Sequence, residues 1–130
     1  MPLSQVAKLI AENDRHIDDG APTFSQAELS DLEDQLGLKL PLDLLDFYVA
    51  GGLRDLRFAN RVLYPSEICE ARSLTRDATF LPFATNGCGD LYCVDLRAES
   101  NEAVLLWDHE TQTFSQHYPC ILVALRSWRF

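Results

Sequence analysis

The residues of this 130-residue chain that could do chemistry concentrate around Asp108-His109-Glu110, with Asp90 and Asp95 upstream. Carboxylates and an imidazole could bind a metal ion or transfer a proton. Adjacent residues in a hairpin turn point in divergent directions, however, whereas metal ligands normally converge from separate positions. We therefore expect Asp108 to accept backbone N–H groups in a turn and His109 to hydrogen-bond locally, with no metal or cofactor.

A second candidate is the glycine-rich segment Asn86-Gly87-Cys88-Gly89. A phosphate-binding loop of this kind leads into a helix, whereas a strand pattern follows here, so the sequence favours a simple turn. Cys88 with a histidine could act as a thiol nucleophile, but a lone cysteine in a turn is more often incidental. No Gly-x-Ser-x-Gly segment is present. These residues by themselves therefore indicate no evident active site.

These residues fall in a stretch whose pattern is that of an antiparallel meander. The predicted strands are 79–84, 90–96, 102–107 and 112–118, after a weaker strand pattern within 56–64. Gly87 and Gly89 can take the positive φ that a hairpin turn requires. Trp107 ends the third of these strands. It is either a core anchor, which we favour, or part of a recognition surface with Tyr92.

Helix patterns fill most of the rest of the chain. Ser25 and Glu28 form a capping box that predicts a helix over 26–36, ended by Gly37 in the left-handed conformation. Pro41 suits the first position of the next helix. The further predicted helices are 4–14, a segment from Pro65 to about Ser73 that Ser66 caps, and 119–129, which Pro119 opens. The predicted fold is α+β, with N-terminal helices packed against a mostly antiparallel sheet of four to six strands, in a single domain over 1–130.

Composition excludes several classes of function. Twenty acidic against eleven basic residues give a formal net charge of −9, which disfavours nonspecific binding to nucleic acid or an anionic membrane and favours a basic partner. The same acidity is also typical of a protein that is merely soluble. No apolar run approaches the ~20 residues that span a bilayer, and Met1–Gln5 has no signal-peptide pattern, so we expect a cytoplasmic protein. The four cysteines form no Cys-x-x-Cys pair, which indicates reduced thiols.

Two motifs carry a family resemblance. Leu81-Pro82-Phe83-Ala84, Asn86 to Leu96 and Trp107-Asp108-His109-Glu110 together resemble the signature of the SUKH superfamily, the Smi/Knr-like group. The segment from Glu28-Leu29 to Tyr48 is similar to the opening motif of that family. The two motifs cover roughly residues 24 to 114 in the right order, which is more specific than either alone. The closing Ser-Phe-x-x-Phe-Leu element of the family is absent from 119–130.

The resemblance implies a non-enzymatic protein-binding domain. Many bacterial members are implicated as immunity proteins that neutralise a cognate toxin, commonly a nuclease or another nucleic-acid-directed enzyme, and an acidic inhibitor suits a basic toxin. The alternatives are a regulatory scaffold of the Smi/Knr type and, as a minority hypothesis, a metal-dependent or small-ligand enzyme that uses Asp90, Asp108, His109 and Glu110. The candidate partner-binding residues are Tyr92, Glu99, Glu102, Asp108, His109 and Glu110. The residues expected to build the structural motifs are Gly37, Pro41, Asn86, Gly87, Gly89, Asp90 and Trp107.

Overall fold

The computed structural model describes residues 5–12, 24–51, 60–76, 79–96 and 103–128. The chain divides into two compact units, the first within residues 1–55 and the second within 56–129. In the described ranges there are five helices and five strands. In chain order they are α1 (Gln5–Glu12), α2 (Gln26–Leu36), α3 (Leu42–Val49), β1 (Arg61–Val62), α4 (Pro65–Thr75), β2 (Phe80–Thr85), β3 (Leu91–Asp95), β4 (Val104–Asp108), β5 (Thr113–Tyr118) and α5 (Ile121–Ser127). The predicted α+β class is confirmed.

In the first unit, α2 has the predicted capping box at its start. Ser25 Oγ accepts the Glu28 N–H at 3.2 Å, and Glu28 Oε1 accepts the Ser25 N–H at 3.4 Å. Each side chain thus satisfies a backbone donor that the first helical turn leaves unpaired. Gly37 ends the helix with φ 70, as predicted, and its N–H donates to the Glu33 carbonyl. Both ends of α2 are therefore determined by residues within or next to the helix.

The connection from α2 to α3 is held by a buried carboxylate. Glu33 Oε2 accepts the Leu40 N–H at 2.7 Å, and the Glu33 side chain is only 10% exposed. The Lys39 ammonium lies 3.9 Å from Glu33 Oε1. A buried carboxylate needs such donors, because burial without a partner would be strongly unfavourable.

α3 begins one residue later than predicted. Pro41 has φ −56 and ψ 142, and its carbonyl accepts the N–H groups of Leu44 and Leu45. A residue with extended dihedrals whose carbonyl accepts the first helical bond is the N-cap, so Leu42 is the first helical residue. The inner face of α3 is formed by Leu44, Phe47 and Tyr48, each at most 1% exposed.

The second unit contains the sheet, whose order β1-β2-β3-β4-β5 is antiparallel throughout. The four strands predicted as a meander are confirmed to within two residues at their ends. The weaker strand prediction over 56–64 is confirmed only at Arg61–Val62, and its first part lies outside the described residues. β2 and β3 are buried along almost their whole length, whereas the edge strand β5 is mostly exposed. The core of this unit therefore lies on both faces of the central strands.

Two helix starts differ from the prediction. Ser66 does not cap α4; Tyr64 is the N-cap, Pro65 is the first helical residue, and Glu67 Oε1 accepts the Tyr64 N–H at 2.8 Å. Glu67 also binds Arg61 through two contacts of 2.9 Å, which hold the pKa of this carboxyl below its usual value. Pro119 does not open α5, because β5 runs to Tyr118 and the chain turns through Pro119 and Cys120 before the helix begins.

α5 brings Trp128 into an aromatic cluster of the second unit. Trp128 is 2% exposed, and its Nε1–H donates to the Tyr118 hydroxyl at 3.1 Å. Its ring lies 4.7 Å from that of Tyr92, centroid to centroid. The predicted apolar side of this helix, which includes Ile121, Leu122 and Leu125, is buried. None of the helices in the described ranges combines the length and apolar character needed to cross a membrane.

Candidate functional site at the turns of two hairpins

The residues singled out for chemistry lie at one end of the sheet. Because β2 to β5 are antiparallel neighbours in chain order, the β2–β3 turn (86–90) and the β4–β5 turn (109–112) lie at the same end. The register confirms this, since Leu91 pairs with Trp107 and Trp107 pairs with Phe114. The two turns are therefore neighbours in space.

The β2–β3 turn is built by small polar side chains and two glycines. Asn86 Oδ1 accepts the Cys88 N–H at 2.9 Å, and Thr85 Oγ1 accepts the Gly87 N–H at 3.2 Å. Gly87 and Gly89 have φ 80 and φ 96, which confirms the prediction of positive φ in this turn. At Gly89 an added Cβ would also lie 3.2 Å from Nδ1 of His109. Glycine is thus favoured at residue 89 by its conformation, and a Cβ there would also press against the His109 ring.

The β4–β5 turn is built by Asp108, as the sequence predicted. Asp108 Oδ1 accepts the Glu110 N–H at 2.8 Å and the Thr111 N–H at 3.4 Å, and the Asp108 carbonyl accepts the Gln112 N–H at 2.7 Å. Gln112 completes the reversal with φ 57. The carboxylate of Asp108 therefore has a structural role.

Asp90 joins the two turns. Its Oδ1 accepts the His109 N–H at 3.0 Å and lies 2.6 Å from His109 Nδ1, while its Oδ2 accepts from Asn86 Nδ2 at 3.0 Å. The hydrogen bond to Asp90 raises the pKa of His109, and the same bond is the main reason that the pKa of Asp90 is lowered. His109 does form a hydrogen bond, but the expectation of a local partner is wrong, because Asp90 is 19 residues away in the sequence.

The expectation that adjacent side chains of the β4–β5 turn point in divergent directions is wrong for Asp108 and His109. One ligand atom each from Asp90, Asp108 and His109 can be chosen such that all lie within 4.8 Å of one another. Adjacent side chains in this turn therefore converge, because Asp90 draws the His109 ring towards the neighbouring hairpin. Three such donors match the ligand types that Zn²⁺ accepts. A metal ion would nevertheless have to displace the Asp90–His109 hydrogen bond.

No nucleophile among the described residues is paired with His109. In the parts of the chain that the structure describes, the hydrogen-bond partner of the His109 ring is Asp90, and the thiol of Cys88 makes no hydrogen bond to it. An Asp–His pair activates a nucleophile only when a hydroxyl or thiol lies within hydrogen-bonding reach of the histidine. The Asp90–His109 pair instead links the two turns, and we call this pair the turn clamp.

The other predicted site residues have different positions. Trp107 and Tyr92 are buried, at 6% and 7% exposure, so the favoured core position of Trp107 is confirmed. His109 and Glu110 are exposed at the turn. Glu99 and Glu102 lie outside the described residues. They belong to the connection between β3 and β4. The last residue of β3, Asp95, and the first residue of β4, Val104, lie at the end of the sheet opposite the two turns.

Sequence reasoning missed the link between Asp90 and His109. The sequence marks Asp90 as a nearby carboxylate and a structural-motif residue, but its pairing with His109 depends on the register of β3 with β4. The signal that could have found it is the position of both residues directly at strand ends that flank turns, Asp90 before β3 and His109 after β4. In an antiparallel pair such positions are neighbours, here one residue away from direct opposition.

Comparison with known proteins places the chain in a family. The model of the SMI1 / KNR4 family (SUKH-1) matches residues 23–120. Among solved structures, a protein from Pseudomonas syringae pv. tomato is similar with a TM-score of 0.65 and 18% identity, over 92% of this chain and 94% of that chain. At this identity the similarity concerns the fold alone. No curated protein matches the chain. Since the family model covers most of the sequence, both motifs included, the chain belongs to the SMI1 / KNR4 family (SUKH-1).

Proposed function

We propose that this chain is a non-enzymatic protein-binding domain that acts as an immunity protein. In this role it binds and neutralises a cognate bacterial toxin with a basic surface, of which a nuclease is the typical case. The observation that carries the proposal is the family match over residues 23–120, because domains of this family are associated with toxin–immunity pairs. The proposed location is the cytoplasm, where the four free thiols would stay reduced.

Charge supports a basic partner. The formal net charge is −9, and a nuclease is basic where it binds phosphate, so attraction between the two proteins would speed their encounter. The turn between β4 and β5 presents the exposed carboxylate of Glu110 beside Asp108. Loops at a sheet end can present charged side chains without disturbing the core. We propose this turn, with Asp108, His109 and Glu110, as part of the binding surface.

The first test is genetic. The product of the neighbouring reading frame is expressed with and without this chain, and growth and co-purification are measured. We expect the neighbour to be toxic alone, growth to be restored by this chain, and the two proteins to co-purify. A neighbour that is harmless and does not bind would remove the main support for an immunity role.

The second test addresses the surface. Glu110→Lys is compared with Glu70→Lys, which reverses an exposed charge on α4. Surface plasmon resonance should show slower association for Glu110→Lys, little change in dissociation, and association rates that fall with added salt. Rates that are indifferent to salt and equal for the two variants would place the interface on an apolar surface.

Two alternatives remain testable. A regulatory scaffold of the Smi/Knr type would bind its partner without blocking an active site, so the bound toxin candidate would retain its activity. A metal-dependent function is favoured by one observation, the proximity of Asp90, Asp108 and His109. Isothermal titration calorimetry with Zn²⁺ and Mn²⁺ would detect metal binding. A heat of binding that Asp90→Asn abolishes would favour a metal site at Asp90, Asp108 and His109 over a purely structural role of the Asp90–His109 pair.

A further inference from the structure

The first unit contains an open groove between α2 and α3. Its volume is about 410 Å³, and its lining residues are Gln26, Leu29, Ser30 and Glu33 of α2 with Leu42, Leu45, Asp46 and Val49 of α3. This volume falls within the range of sites that hold ligands or side chains of a partner. The groove belongs to the first unit, so it is distinct from the hairpin turns of the second unit.

An apolar stripe runs along the α3 side of the groove. Leu42, Leu45 and Val49 follow one another at the spacing of a single helix face, and Leu42 and Val49 are about 10 Å apart along the helix axis. Leu42 is 71% exposed and Val49 is 43% exposed, although both are large apolar residues. Leu29, at 1% exposure, forms the floor. Exposed apolar residues that continue a buried surface are typical of a binding site.

The groove also carries a carboxylate that the fold does not use. Glu33 is already bound to the Leu40 N–H and lies near Lys39. Asp46 is partly exposed on the turn of α3 between Leu42 and Val49, and no side chain among the described residues pairs with it. None of the described residues that line the groove is a lysine or an arginine. Apolar residues beside a free carboxylate are complementary to a segment that carries aliphatic side chains and a cation.

We propose that the α2–α3 groove is a docking site for an amphipathic helical segment of a partner protein. Two aliphatic side chains of that segment lie along Leu42, Leu45 and Val49, and a lysine or arginine one turn away binds Asp46. An elongated occupant fits better than a small molecule, because the high exposure of Leu42 leaves the groove open along its rim, whereas small-ligand sites enclose most of the ligand. Helices commonly bind to such grooves by side chains at i, i+3 or i+4 and i+7.

The test uses a phage-displayed library of random linear peptides of about four helical turns, selected on the immobilised full chain. We expect the enriched peptides to combine aliphatic residues at helical spacing with a lysine or arginine. Leu42→Ser should weaken the binding of these peptides roughly tenfold or more. Asp46→Lys should weaken it similarly, and added salt should reduce the affinity of the original protein.

Two matched variants serve as controls. Leu74→Ser removes a leucine of α4 that is 58% exposed and outside the groove, and Asp34→Lys reverses an exposed charge of α2 that does not line it. Both should bind the peptides as the original protein does, and thermal melting of every variant checks that it is folded. A lack of enriched peptides, peptides without a cation, or peptides that bind Leu42→Ser as tightly as Leu74→Ser would overturn the proposal.

A second copy of this chain is the competing occupant. Light scattering across a range of protein concentrations would reveal self-association, and a dimer that Leu42→Ser dissociates would overturn docking of a partner segment. Because the selection uses no toxin, its result is independent of the proposed immunity role, and either proposal can fail alone.

Discussion

Asp90 is the residue on which the arrangement of the two hairpin turns depends. It accepts hydrogen bonds from both turns, and through His109 it connects positions that are 19 residues apart. Its side chain is 18% exposed, against 42% for that of His109, so the acceptor is the more protected partner. A change at Asp90 should therefore alter His109 more than any change at Glu110 does.

The titration of His109 tests this pair directly. The hydrogen bond to Asp90 raises the pKa of His109 above its ordinary value of 6.5, and NMR of the ring C–H protons should show a midpoint above that value. Asp90→Asn should lower the midpoint, since the neutral amide cannot stabilise the imidazolium. Glu110→Gln is the control and should have a smaller effect. A midpoint that Asp90→Asn leaves unchanged would show that the pair does not form in solution.

The same pair gives stability a defined dependence on pH. For His109, whose pKa is raised by folding, the contribution to the stability of the fold is complete below pH 6.5 and is lost as pH rises through the raised pKa. For Asp90, whose pKa is lowered, the contribution is complete above 3.8 and is lost as pH falls through the lowered pKa. The pair therefore stabilises the fold most between pH 3.8 and pH 6.5. The difference in melting temperature between the original protein and Asp90→Asn should be largest in this pH range.

Glu33 is the second residue whose role is structural despite its charge. Glu33→Ala should reduce the free energy of unfolding by about 1–3 kcal/mol, because the buried N–H of Leu40 loses its acceptor. Glu33→Gln should have a smaller effect, since the amide oxygen can still accept. Urea denaturation measures both, with Asp34→Ala as an exposed control expected within about 0.5 kcal/mol of the original. Equal stability of Glu33→Ala and Asp34→Ala would contradict the assigned role.

At the scale of elements, α2 is specified by local signals at both ends. Ser25→Ala should reduce the free energy of unfolding by roughly 0.5–2 kcal/mol, because the Glu28 N–H loses its cap. Ser30→Ala, in the exposed middle of the same helix, should be neutral or slightly stabilising, since alanine is the better helix former. Thermal denaturation compares them. A Ser25→Ala protein as stable as Ser30→Ala would mean that the capping box contributes nothing.

The β2–β3 turn is specified by conformation and by its neighbour. Gly89→Ala should be more destabilising than Gly37→Ala, although both glycines have positive φ, because only at residue 89 does the new Cβ meet the His109 ring at 3.2 Å. At Gly37 nothing lies within 4 Å of an added Cβ, so its cost is conformational alone, about 1 kcal/mol. Gly89→Ala should also lower the His109 midpoint. Equal melting temperatures for the two variants would contradict the close approach.

At the scale of the whole molecule, the expected single domain remains a prediction, because the chain divides into two compact units. We expect one cooperative unfolding transition. Both tryptophans, Trp107 and Trp128, belong to the second unit, so their fluorescence reports on that unit, whereas far-UV circular dichroism reports on the helices of both. Coincident transitions by the two methods would support one domain. A separate transition in circular dichroism alone would indicate that the units unfold independently.

Much of this protein could be predicted from the sequence because its signals are local. The capping box joins residues three positions apart, Gly37 ends its own helix, and Asp108 binds N–H groups two and three residues ahead. The alternation of apolar residues and the glycine-rich turn likewise predicted the meander, and two motifs in order indicated the family that the comparison found. Errors such as the start of α5 arose where a strand end and a helix start compete for the same residues, Pro119 and Cys120.

Tertiary structure alone decided which distant residues meet. The Asp90–His109 pair depends on the register of β3 with β4, which brings the residue before β3 beside the turn that follows β4. The burial of Glu33 and the exposure of Leu42 likewise contradict what residue type suggests, since both follow from how α2 and α3 lie together. The sequence by itself determined the elements, the turns and the family. The turn clamp and the α2–α3 groove could be recognised only in the folded chain, because each is made by contacts between separate elements that no local pattern encodes.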